Sequence, residues 1–185
     1  MPTWDAVPRE SLGAARRPAP WSLRRRRRFA LVALVALVGV VLVRALVATP
    51  VRVESASMQP TFAVGDVVLV GRTPPDVDDV RRGDLVTFVS PQDGRVTLKR
   101  VLGLPGEALV ILDGVLYVDG LAVDEPYVDH ELVDGYFSKT FSVPPDAVFV
   151  LGDNRGNSID SRDYGAVPAW DLLGRVVVRI WPPRD

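Results

Sequence analysis

The longest apolar run lies near the amino-terminal end of the chain. Phe29 to Val43 carry no charge, and after Arg44 the run closes with Ala45 to Ala48. Residues 29–48, at a helical rise of about 1.5 Å each, span about 30 Å, the thickness of a bilayer's hydrocarbon core. The pattern predicts one transmembrane helix over 29–48, with Arg44 one turn from the outer end, where its long stem lets the guanidinium reach the headgroups. From Pro50 the pattern changes to short apolar segments punctuated by Gly, Pro and Asp, the rhythm of strands and turns.

Val51–Glu54, Val67–Val70, Leu85–Val89 and Val96–Leu102 read as the first strands, with the polar stretch 73–83 as a loop and Gly103–Gly106 ending the last of them. Ala108–Leu112, Val115–Val118 and Leu121–Val123 follow, joined by Asp113-Gly114 and Asp119-Gly120. An Asp-Gly pair between apolar runs is a strong hairpin signal, because both central positions of the tight turn need positive φ. A meander is expected there. The acidic stretch 124–137, which holds His130, reads as a loop, and Phe141–Val143, Val148–Leu151 and Val176–Ile180 return to strand. Residues 152–165 read as a long loop, and a long loop in a compact domain usually signals function or disorder. Pro168–Leu173 reads as one or two helical turns, with Gly174 just past the end. The chain is thus expected to be mostly β, in three parts: 1–28, 29–48 and 49–185.

Charge adds a direction. Residues 1–48 hold nine Arg against Asp5 and Glu10, a balance of +7, while residues 49–185 hold 13 basic and 21 acidic residues, a balance of −8. Arg24–Arg28 precede the apolar run, which places residues 1–28, a basic, Pro-rich tail expected to be disordered, in the cytoplasm and the rest outside. A cleaved secretory signal starts in a similar way, but in Leu46-Val47-Ala48-Thr49 a leucine fills the −3 place where a small residue is needed. The expectation is an uncleaved, single-pass anchor in the plasma membrane. An acidic main domain argues against nucleic acid as a partner. With no Cys, the chain has no disulfide, no thiol nucleophile and no cysteine metal site. No metal cluster, phosphate loop or cofactor motif is visible, so no metal or cofactor is expected.

The candidate chemistry sits in Glu54–Phe62, where Ser55 and Ser57 flank Ala56. A serine hydroxyl is a poor nucleophile until a base takes its proton. The chain offers one histidine, His130, and two lysines, Lys99 and Lys139, among 22 basic residues that are otherwise all Arg. Arginine cannot lose its proton in a protein, whereas a buried lysine can do so near neutral pH. Because Ser57 lies nine residues past Ala48, even a fully extended link spans at most about 30 Å, and Ser57 is expected to work close to the membrane surface.

Ser55-Ala56-Ser57-Met58-Gln59-Pro60-Thr61, Arg82-Gly83-Asp84, Lys99-Arg100-Val101 leading into Gly103-Leu104-Pro105-Gly106, and Gly152-Asp153-Asn154-Arg155 followed by Asn157-Ser158 and Asp160-Ser161-Arg162 resemble, in order, the signature boxes of type I signal peptidases. The resemblance spans roughly residues 50 to 181 and implies a β-rich fold of antiparallel sheets. It implies a membrane-bound serine endopeptidase that removes signal peptides from exported preproteins, with Ser57 as nucleophile and Lys99 as general base. It makes the Ser57 backbone N–H and the Ser55 hydroxyl the oxyanion hole, gives Ser158 the task of orienting the Lys99 amine, and makes Asp160 and Arg162 an ion pair near the site; Arg100 and Asp153 are expected to pair in the same way. The Lys99 pKa must then fall from about 10.4 to near 8, and desolvation by Val96, Leu98, Val101, Leu102 and Phe62 is the available lever. Shallow pockets for small side chains at −1 and −3 of the precursor are expected from Val51, Val53, Met58 and Leu98. The implied partners are signal-peptide-bearing preproteins and the lipid bilayer, with the export translocon nearby. The chain departs from the family at Gly156, where an acidic residue is usual, and at Glu54, where proline is common. Two other readings remain: a triad of His130, Ser57 and an aspartate, and a membrane-anchored β-rich binding module or inactive relative, against which the intact Ser57, Lys99 and Ser158 argue.

Overall fold

The computed structural model describes residues 23–128 and 139–182, without the side chains of 23–24 and 43–46. His130 lies outside the described residues, as does most of the tail 1–28. The chain divides into two units, Met1–Val41 and Leu42–Asp185.

The helix α1, Leu23–Val47, takes in the basic run as well as the apolar one. The uncharged side chains described on it run from Phe29 to Leu42, and its large apolar side chains over that stretch are exposed. Among the described residues no helix is long and apolar enough to cross a membrane. The helix stops at Val47 and Ala48 opens the first strand.

The second unit is built on strands β1 Ala48–Arg52, β2 Val67–Gly71, β3 Leu85–Val89, β4 Val96–Gly103, β5 Ala108–Leu112, β6 Val115–Val118, β7 Leu121–Ala122, β8 Thr140–Ser142, β9 Ala147–Leu151, β10 Val167–Pro168 and β11 Leu172–Trp181. They form a seven-stranded sheet, β1-β2-β11-β3-β4-β9-β10, and a four-stranded sheet, β7-β6-β5-β8. Every pairing is antiparallel. Both Asp-Gly turns form as expected, with Asp113 and Gly114 at φ 47° and 80° and Asp119 and Gly120 at φ 49° and 81°.

Alternation explains the packing. Along β9, Phe149 and Leu151 join the core beneath the small sheet, with Leu102, Leu109 and Leu116, while Val148 and Val150 face the opposite core with Val86, Phe88 and Val101. With both faces covered, Ala147–Leu151 is buried throughout and reads as an unbroken apolar run. A third cluster, Val53, Met58, Phe62, Val68 and Val70, lies under the serine segment.

Three expected elements come out differently. The first strand lies earlier than Val51–Glu54 and contains Pro50, which is tolerated because β1 is an edge strand, paired among the described residues with β2 alone. The expected helical turns at 168–173 shrink to a 3₁₀ turn, Ala169–Asp171, and the last strand starts at Leu172. Gly174 is therefore inside β11 rather than past a helix, at a register shift against β3. A β-carbon there would collide with the Gly71 carbonyl, so the glycine permits a close approach of two backbones. The expected loop 152–165 contains a 3₁₀ turn, Arg155–Asn157, and a short helix α2, Ser161–Tyr164. Asp160 caps α2 and Asp163 returns a bond to the Asp160 N–H, a reciprocal capping box.

Candidate active site

Ser57 sits in a 3₁₀ turn, Ala56–Met58, between β1 and β2. Met58 is buried beneath it and anchors the turn in the third core cluster. The turn is held from across the molecule: Asn154 donates its N–H to the Ser57 carbonyl at 3.0 Å and its side-chain amide to the Ala56 carbonyl at 3.3 Å. The Ser57 hydroxyl is 3.1 Å from that of Ser55, which stands exposed at the entrance.

Lys99 lies on β4 opposite Val86 of β3 and is only 3% exposed. Burial pushes its pKa down to about 8, opposed by the Asp160 carboxylate, assisted by the Arg162 guanidinium, and opposed again by Asp153 and Asp163. Of the apolar neighbours expected to desolvate it, Val101, Leu102 and Phe62 are buried and Leu98 half-buried, whereas Val96 is exposed.

Ser57, Lys99, Ser55 and Ser158 line one cleft of about 900 Å³, together with Val51, Val53, Met58 and Leu98. Among the described residues no hydrogen bond joins Lys99 to Ser57, whose hydroxyl is turned to Ser55 instead. The Ser158 hydroxyl is buried and has no hydrogen-bond partner among the described residues, and Ser158 is one of the residues lining the cleft.

Two ion pairs frame the site. Arg162 donates to both oxygens of Asp160, at 2.8 and 2.9 Å, and Asp160 also accepts the Gly152 N–H at 3.0 Å. Arg100, next to Lys99 on β4, donates to both oxygens of Asp153 at 2.8 and 2.7 Å, and Thr61 donates its hydroxyl to the same carboxylate at 2.5 Å. Gly152 is wedged at the centre: a β-carbon there would strike the Ser158 side chain and lie 2.6 Å from the Ser57 carbonyl oxygen. Glu54 is exposed on the cleft rim, and Gly156 lies in the 3₁₀ turn after Arg155. Among the described residues no acidic or histidine cluster could hold a metal.

Sequence reasoning left Thr61, Asn154, Glu125 and Tyr127 without roles. Thr61 and Asn154 act through hydrogen bonds to partners more than ninety positions away, which no local pattern encodes. Glu125 and Tyr127 fall in the acidic stretch read as a loop, yet Glu125 is buried.

Ser57 and Lys99 thus line one cleft of an antiparallel β domain. The chain belongs to the signal peptidase family, peptidase S26, whose pattern matches residues 26–181. Signal peptidase I of Bacillus caldolyticus is 38% identical over 142 residues, covering 70% of this chain and 78% of its own. Signal peptidase I V of Bacillus subtilis (strain 168) is 39% identical over 135 residues, covering 66% and 80%. A crystal structure of a signal peptidase I from Enterococcus faecalis V583, at 33% identity and a TM-score of 0.48, covers 53% of this chain and 97% of that chain.

Proposed function

We propose that the protein is a membrane-bound serine endopeptidase that removes amino-terminal signal peptides from exported preproteins, with Ser57 as nucleophile and Lys99 as general base. The observation that carries this reading is Lys99 itself, a buried amine with a pKa lowered to about 8, lining the same cleft as Ser57. The neutral amine takes the Ser57 proton as Oγ attacks the scissile carbonyl. The ammonium then protonates the leaving amine, and water releases the acyl group with Lys99 again as base. Rotation of the Ser57 side chain away from Ser55 is part of this cycle, because catalytic hydrogen bonds often tighten only when substrate is present. The Ser57 N–H and Ser55 hydroxyl meet the negative charge that develops on the carbonyl oxygen. Ser158, with its free hydroxyl, orients the amine.

The substrate lies as an added strand. β9 pairs with β4 only from Arg100 onward, so the other edge of Val96–Lys99 has no strand partner among the described residues. That edge lies along the cleft, where main-chain pairing supplies affinity and alternate side chains enter pockets. Val51, Val53, Met58 and Leu98 form the pockets for small residues at −1 and −3. The helix α1, with its exposed apolar side chains after five arginines, anchors the enzyme with the amino-terminus in the cytoplasm, the translocon nearby and the catalytic domain outside.

The test is cleavage of a secretory precursor by the detergent-solubilised protein, with the product's new amino-terminus sequenced. Wild type is expected to cut after a small residue and Lys99→Ala not to cut. Full cleavage by Lys99→Ala rejects the mechanism, and cleavage indifferent to a bulky residue at −1 rejects the substrate class.

A further inference from the structure

The segment Glu125-Pro126-Tyr127, outside every motif that carries the resemblance, contacts two arginines beside the reaction centre, Arg155 and Arg100. Glu125 and Arg155 are each only 4% exposed and form a two-armed ion pair: Nη1 donates to one carboxylate oxygen at 3.1 Å and Nη2 to the other. The same guanidinium donates from Nε to the Gly152 carbonyl at 3.1 Å. Gly152 is the residue packed against both the Ser57 carbonyl and the Ser158 side chain. Two residues along, the ring of Tyr127 lies under the Arg100 guanidinium, 3.8 Å from Cζ to ring centroid, and its hydroxyl donates to Glu125 at 3.1 Å.

An ion pair this deep is a poor source of stability, because desolvation of both charges offsets their attraction. What it does supply is direction. A guanidinium fixed at two points by a carboxylate has one orientation left, and its third donor then sets the plane of the Gly152 peptide.

We propose that Glu125 and Tyr127 are positioning residues for the reaction: through Arg155 and Gly152 they hold Ser57 and Ser158 in register, and through Arg100 they hold the strand that carries Lys99. The proposal rests on the Ser57–Lys99 reading. Neither residue touches the substrate, so losing them leaves binding intact while the hydroxyl and amine drift out of line.

The test uses the full-length protein in detergent and a fluorogenic precursor peptide. Glu125→Met combined with Arg155→Met removes the grip and keeps an apolar filling, so the fold is retained. The expected result is a kcat lower by about ten- to a hundredfold, the scale of a small misplacement of reacting groups, with KM within about twofold and a shifted pH midpoint of kcat. A purely structural role predicts a changed melting temperature with wild-type kcat and pH midpoint, and that outcome overturns the proposal. Should the double variant not fold, Tyr127→Phe decides: it keeps the ring under Arg100 and loses only the hydroxyl. A kcat down about tenfold at unchanged KM supports the proposal, and wild-type kinetics reject it. Lys99→Ala run alongside separates the two failures. If it is active the Ser57–Lys99 reading falls, and if it is inactive while the Glu125 and Tyr127 variants match wild type, only the positioning role falls.

Discussion

Ser55 and Ser57 face each other across a single intervening residue, their hydroxyl oxygens 3.1 Å apart, with Ser57 buried in its turn and Ser55 open to the cleft. In the proposed reaction that contact must break, freeing Ser55 to meet the oxyanion. Ser55→Ala is expected to lower kcat by about two to three orders of magnitude with KM little changed, since a single donor to the developing charge is worth that much. Steady-state kinetics on a precursor peptide measure it, and an unaltered kcat removes Ser55 from the mechanism.

The lowered pKa of Lys99 gives a pH profile. The base must be neutral, so kcat/KM should rise about tenfold per pH unit below about 8, the value set by burial, and level off above it. Lys99→Arg keeps the charge and cannot deprotonate, so it should be inactive at every pH. A profile flat from pH 6 to 9, or an active arginine variant, contradicts the role of Lys99.

The same burial should be visible in stability. The folded pKa of about 8 lies below the ordinary 10.5. Between those values the unfolded chain holds a proton that the folded chain lacks, so stability rises with pH across that window, and the full penalty stands below pH 8. It amounts to about 3 kcal/mol at neutral pH, from about 1.4 kcal/mol per pH unit. Lys99→Met, of similar length, should therefore be more stable than wild type at pH 7 by up to that amount, an advantage that fades by about pH 10.5. Urea unfolding at the two pH values checks the sign.

Asp160 holds three things at once: the Arg162 guanidinium, the Gly152 N–H and the start of α2. Asp160→Asn leaves Arg162 buried beside a neutral amide, and removing one partner of a buried pair costs about 3–5 kcal/mol. Unfolding experiments should show a loss of that order, together with loss of cleavage as the 152–165 segment loosens. A variant of wild-type stability contradicts the view of Asp160 as the segment's anchor.

Much of this architecture can be read along the chain, and the misses share a cause. The two Asp-Gly hairpins form where the sequence places them because a tight turn is a local event decided by two residues. The serine turn and the lysine strand are local in the same sense. Gly174 reads as a helix stop, yet what requires a glycine there is the Gly71 backbone, about a hundred residues away. Glu125 in an acidic run looks solvated, and only Arg155, thirty positions on, makes it a buried group.

The edge of Val96–Lys99 that has no strand partner among the described residues has a consequence for breadth of choice. Backbone amides and carbonyls are the same in every polypeptide, so an edge of this kind welcomes any extended segment that reaches it. Discrimination is left to a few small hollows beside that edge. An enzyme built this way tolerates wide variety elsewhere in its clients, so a single copy could serve a large and unrelated set of exported proteins.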